Sequence, residues 1–172
     1  ANDAGRANTA SNVVVASIND PVTLTTPISD QTTAEDAGLS FTFASNTFTD
    51  PDVGQVITYS ATLADGNALP SWLGFNPNTR TFSGTPLNEH VGTIDVKIIA
   101  AENGDNTKTV TDQFNLTITN TNDAPTVANP IADQNASEDT AFSYQFSSNT
   151  FNEVDVGDTL IYSATLAGGG AL

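Results

Sequence analysis

Asn120-Thr121-Asn122-Asp123-Ala124-Pro125 is the stretch on which the fold of this chain turns, because the residues after it repeat the residues before it. Pro27-Ile28-Ser29-Asp30-Gln31 returns as Pro130-Ile131-Ala132-Asp133-Gln134, and Glu35-Asp36 returns as Glu138-Asp139. Ser45-Asn46-Thr47-Phe48 returns as Ser148-Asn149-Thr150-Phe151, and Tyr59-Ser60-Ala61-Thr62-Leu63-Ala64 as Tyr162-Ser163-Ala164-Thr165-Leu166-Ala167. One constant offset, 103 positions, relates every pair without a gap. Upstream, Ser11-Asn12-Val13-Val14-Val15-Ala16-Ser17-Ile18-Asn19-Asp20 corresponds to the strand and joint that end at Asn122-Asp123. The reading is a tandem array: terminal strands of a preceding repeat over 1–20, a complete repeat over 21–123, and the first half of another over 124–172. A half repeat has too few strands to close a core, so 124–172 is expected to fold poorly or to depend on a partner.

Inside the complete repeat, apolar residues recur with period two. Phe41 and Phe43 flank Thr42, and Ile57, Tyr59, Ala61 and Leu63 alternate with Thr58, Ser60 and Thr62. Ile94, Val96, Ile98 and Ala100 do the same, as do Phe114, Leu116 and Ile118. That period marks strands with one buried and one wet face. Turn residues separate them at Asp50-Pro51-Asp52-Val53-Gly54, Asp65-Gly66, Asn76-Pro77-Asn78, Ser83-Gly84-Thr85-Pro86 and Asn103-Gly104-Asp105. No window has a helical period. About seven short strands in a repeat of this size predict an all-β, Greek-key two-sheet sandwich of the Ig-like kind. Trp72, the single tryptophan, is expected to cap its core.

The chain carries 20 acidic against 4 basic residues, a net charge of −16. Phosphate recognition needs clustered Lys and Arg, so nucleic acid is excluded as a partner and anionic membranes are disfavoured. There is no cysteine and no methionine, hence no disulfide framework or thiol chemistry, and the composition suits an extracellular protein. No run approaches the roughly 18 apolar residues of a membrane span, so membrane insertion is not expected.

The acids cluster. They gather at Asn19-Asp20, Glu35-Asp36, Asp50-x-Asp52, Asn88-Glu89, Glu102-x-x-Asp105 and Asn122-Asp123, and again at Glu138-Asp139 and Glu153-x-Asp155. Nearly all fall in turns or at strand ends. Crowded carboxylates repel unless a cation bridges them, and a hard ion of flexible geometry that takes six to eight oxygens is calcium. The competing reading is that Asp and Asn serve turn chemistry alone. It leaves the concentration at the joints unexplained.

The run Thr119 to Pro125 resembles the Asp-x-Asn-Asp-x-Pro linker of cadherin repeats. Glu35 stands at the place of the early strand glutamate, and Asp50-Pro51-Asp52 at that of the Asp-x-Asp motif. Leu87-Asn88-Glu89 sits where cadherins carry Leu-Asp-Arg-Glu, and Ala100-Ala101-Glu102 where they carry Ala-x-Asp. Tyr59 to Leu63, Leu69-Pro70-Ser71-Trp72-Leu73-Gly74-Phe75 and Thr81-Phe82-Ser83-Gly84-Thr85-Pro86 resemble the dystroglycan-type cadherin-like domain, an Ig-like tandem repeat of bacterial surface adhesins. The resemblance implies calcium shared between neighbouring repeats of the same protein. At the second joint it implies Glu35, Asn88, Glu89, Asn122, Asp123, Glu153 and Asp155 as ligands, and at the first Asn19, Asp20, Asp50, Asp52 and Glu102. Asn88, Glu102 and Glu153 depart from the strict pattern in charge or reach, which implies fewer or weaker ions. Asp36 and Asp139 are left open as ligands or bystanders.

Two other functions compete. Domains of this kind also accompany polysaccharide-degrading modules, which leaves polysaccharide or cell-surface glycan as an alternative partner. The periodicity buries most aromatics, however, and Phe48 and Phe151 are the only ones left unplaced. An enzyme is not expected: Asp50 and Asp52 stand too close along one turn for glycoside chemistry. His90 is the lone histidine, and no Gly-x-Ser-x-Gly accompanies it.

Overall fold

Wherever the complete repeat alternates, the computed structural model, which describes residues 18–102 and 105–171, shows strand. The elements are β1 (Thr23–Leu24), β2 (Gln31–Ala34), β3 (Leu39–Thr42), β4 (Phe48–Thr49), β5 (Ile57–Leu63), β6 (Leu73–Asn76), β7 (Thr81–Gly84), β8 (Gly92–Glu102) and β9 (Asp105–Thr119). The terminal strands expected over 1–20 lie for the most part outside the described residues.

Two main sheets, beside the two-stranded β1–β4 pair, form the complete repeat. One has the order β2-β9-β8-β5 and the other β3-β7-β6. The nine elements are seven strands, two of them broken. β3 and β4 are halves of one strand interrupted by a turn in which Thr47 N–H donates to the Ala44 carbonyl at 3.2 Å. β1 pairs antiparallel with β4, whereas β2 crosses to the other sheet and runs parallel to β9. Two carboxylates fasten the crossing segment: Asp112 accepts the Ile28 N–H at 2.6 Å and Asp30 the Asn115 N–H at 2.8 Å. The result is the four-plus-three strand arrangement of an Ig-type sandwich, with the first strand shared between sheets.

Between the sheets lie Val96, Ile98 and Ala100 of β8, Phe114, Leu116 and Ile118 of β9, and Phe43, Phe48, Leu73 and Phe82 from the facing side. Each large apolar side chain so buried contributes about 1.5–3 kcal/mol over exposure. Phe48 is a core residue, packed edge-on to Phe43 at 6.1 Å. Trp72 is half-buried against that core and lies 5.5 Å from the His90 ring. The run Ser83-Gly84 proves not to be a turn: both residues belong to β7. Gly84 answers to a close approach of the Trp72 backbone rather than to chain reversal.

In the second copy the β1–β4 pair recurs in the same register as β10 (Thr126–Val127) and β11 (Phe151–Asn152). Phe151 packs with Phe146 and Tyr162, the counterparts of Phe43 and Tyr59. Phe142, Tyr144 and Ile161 of this copy stay exposed.

Asx turns set an acid limit on the fold. Asp65 accepts the Asn67 N–H at 2.9 Å and its side-chain amide at 2.6 Å, and these bonds hold its carboxyl below the ordinary 3.8. The Thr107 hydroxyl at 2.7 Å, then its N–H at 2.9 Å, lower Asp105 likewise. A carboxyl depressed in the folded state adds stability that is complete above its unfolded value and is lost as pH falls through the folded one. The melting temperature is therefore expected to fall below pH 3.8, the ordinary value of both groups. Melts of Asp65→Asn check this, since that variant should lose part of the fall.

Candidate metal centre

At the second joint, Glu35 follows directly on β2 and is only 2% exposed. Its N–H donates to the Thr119 carbonyl at 3.0 Å, so the parallel β2–β9 ladder delivers the carboxylate to the start of the linker. There Glu35 Oε1 accepts the Thr121 N–H at 2.7 Å. Asn88, in a 3-10 turn over Asn88–His90, donates its amide to Asp123 Oδ2 at 3.0 Å. Asp123 N–H in turn donates to Asp155 Oδ2 of the following copy at 2.7 Å. Asp155 N–H reaches Glu153 Oε1 at 3.2 Å. Four ligand candidates from three separate segments thus share one hydrogen-bonded chain.

The first joint repeats this geometry. Asp20 N–H donates to Asp52 Oδ2 at 2.7 Å, the counterpart of the Asp123–Asp155 bond. Asp52 N–H reaches Asp50 Oδ1 at 2.8 Å. Glu102, at the end of β8, is 3% exposed.

What these networks leave unsatisfied is informative. Glu35 Oε2, Asn88 Oδ1 and Asp155 Oδ1 at the second joint, and Asp50 Oδ2 and Glu102 Oε2 at the first, are buried oxygens with no hydrogen-bond donor. A buried polar group without a partner is costly, a charged one more so. These atoms are all acceptors, so the partner that would relieve them is a cation or a donor, and oxygen-only sets of this type fit calcium. The carboxylates and carboxamide therefore fit the ion that the resemblance implied. Among the described residues, no three or more His, Cys, Asp or Glu side chains converge on a point by themselves.

Not every candidate joins the network. Glu89 turns outward, 74% exposed, with His90 Nε2 at 3.8 Å from its Oε1. Asn122 is exposed and donates to the Asp123 carbonyl at 3.2 Å. Asn19 is exposed as well, and Gln55 Nε2 donates to its Oδ1 at 2.5 Å. Sequence reasoning missed Gln55. Asp36 lines a cleft of about 410 Å³ with Leu87, Asn88, Glu89, Val154 and Val156. Its φ of 57° recurs as 58° at Asp139, a backbone state that Asp tolerates better than most residues. The repetition of Glu-Asp in both copies is the signal for it in the sequence.

No curated protein matches the chain. Among solved structures, it is similar at 16% identity and a TM-score of 0.41 to a putative α-galactosidase from Bacteroides fragilis, covering 62% of this chain and 19% of that one. An endo-fucoidan hydrolase of glycoside hydrolase family 107 is similar at 20% identity and 0.41, with 56% and 13% covered. A SusE-like surface-located polysaccharide-binding protein from Bacteroides thetaiotaomicron is similar at 18% and 0.38, with 54% and 14% covered. The chain spans less than a fifth of each. The family described as a putative Ig domain matches residues 21–119 and again 124–172, and to that Ig-domain family this chain belongs.

Proposed function

We propose that the chain is a calcium-stiffened, cadherin-like repeat of an extracellular or surface-attached bacterial adhesin, serving as an extender and adhesion module. One observation supports this above the rest. The orphaned buried side-chain oxygens found among the described residues belong to Glu35, Asp50, Asn88, Glu102 and Asp155, all ligand candidates at the two joints. Calcium would supply the positive charge and flexible coordination that those oxygens lack. Glu35 ties the linker to β2 through Thr121, and Asn88 ties Asp123 to the turn after β7. With those residues drawn to one centre, the linker loses its freedom and successive repeats hold a fixed direction.

Extracellular modules bind calcium at roughly 10⁻⁴–10⁻³ M. At about 100 times the dissociation constant one site adds ~2.7 kcal/mol. Melts in calcium, magnesium and chelator are expected to show a calcium-specific rise of roughly 10 °C. Asp123→Ala is expected to remove much of it. Equal melting in all three conditions would sink the reading and return the acids to turn chemistry.

A second reading is favoured by one surface feature. Between the free edges of β5 and β6 an open cleft of about 620 Å³ is lined by Tyr59, Leu69, Phe75 and Pro77, beside Ser60 and Thr62. Aromatic side chains next to hydroxyls suit a sugar ring. Retention on insoluble polysaccharides, with and without calcium, tests it, and no retention on any polymer rejects it.

A further inference from the structure

The first joint contains two nitrogen groups placed against its buried carboxylate. Gln55 Nε2 donates to Glu102 Oε1 at 3.3 Å as well as to Asn19. Its counterpart in the second copy is Asp158, which offers no such amide. Lys108, across the β8–β9 hairpin, brings Nζ to 3.6 Å from the same Glu102 oxygen. The carboxylate is 3% exposed and the lysine side chain 48%. Glu102 Oε2 and Asp50 Oδ2 meanwhile have no donor. The other described cations are engaged elsewhere: Lys97 donates to the Ala64 carbonyl at 3.1 Å and Arg80 to the Phe43 carbonyl at 3.4 Å.

We propose that Lys108 is the resident counter-ion of the first joint, holding Glu102 when no divalent ion is bound and yielding it when one enters. The inference rests on the calcium reading above. A buried carboxylate without countercharge is strongly destabilising, so cation-free Glu102 needs Lys108. A lysine is a point charge on a flexible stem, and one already half in water swings outward at little cost. Glu102, if it held a divalent ion, would release the lysine. Because the ion must first win Glu102 from an ammonium, the first joint loads at higher calcium than it would without Lys108. The lysine thus sets the calcium threshold of this joint.

The test is thermal melting of the full chain as wild type, Lys108→Gln and Lys108→Arg, in chelator and across a calcium titration. In chelator, Lys108→Gln is expected to melt about 4–8 °C lower, and Lys108→Arg to stay near wild type. In saturating calcium the three should coincide, with the half-effective calcium concentration of Lys108→Gln lowered about fivefold. An equal drop with and without calcium would make the contact a plain ion pair and overturn the proposal. No drop in chelator would overturn it too. A wild type indifferent to calcium would reject the calcium reading itself, and a chelator drop alone would then mark Lys108 as purely structural.

Discussion

Gly84→Ala is expected to cost about 3 kcal/mol or more, the severe end of overpacking. Gly84 ends β7, the central strand of its sheet, and pairs with Leu39 on one side and Leu73 on the other. A methyl at its Cα would stand 1.9 Å from the Trp72 carbonyl oxygen and 3.2 Å from the Trp72 ring. The oxygen belongs to the backbone, and Leu73 beside it is held by an N–H bond to the Pro70 carbonyl at 2.9 Å. Neither strand has room to retreat without breaking a ladder. Gly74→Ala is the control, because its added carbon meets nothing closer than the Ser83 carbonyl at 3.5 Å. Urea unfolding of both variants checks the contrast, and a loss below about 1 kcal/mol for Gly84→Ala would show that the Trp72 backbone yields easily. With total stabilities of 5–15 kcal/mol, the expected loss leaves little margin.

Phe82→Ala is expected to cost about 3–5 kcal/mol. The ring is 1% exposed and bridges the sandwich. It lies 4.6 Å from Phe75 and 6.4 Å from Phe41 within its own sheet, and 5.7 Å edge-on from Phe114 of the other. Truncation removes buried area and all three ring contacts at once, each worth about 0.5–1.5 kcal/mol beyond area. Chemical denaturation in chelator and in calcium gives the sharper readout. If calcium binds as proposed, it would add ~2.7 kcal/mol at 100 times its dissociation constant, and calcium should then restore a folded baseline that chelator abolishes. A variant as stable as wild type in both would place Phe82 outside the energetic core.

Strand faces were legible because they are local. The period-two runs around Phe41, Tyr59, Val96 and Phe114 all became strands with those residues turned inward or packed against the core. Less legible was the break of the first strand. Nothing between Thr23 and Ala34 states that its first half pairs with β4 and its second with β9, since that choice depends on Asp112 and Asp30 reaching segments some 84 and 85 residues away in sequence. Gly84 was misread as a turn because a glycine required by a distant carbonyl looks, in sequence, like one required by φ.

The candidate site divides the same way. Sequence alone determined which residues carry oxygens at the joints, and that Asp20 and Asp52 stand in the places of Asp123 and Asp155, because a constant offset and a carboxylate's chemistry need no coordinates. Only the tertiary structure decided which of those oxygens lose every donor, that Glu89 faces water, and that Gln55 and Lys108 reach Glu102. Burial and hydrogen-bond satisfaction are set by atoms from other strands. They come into being when the sheets pack, and no spacing along the chain encodes them.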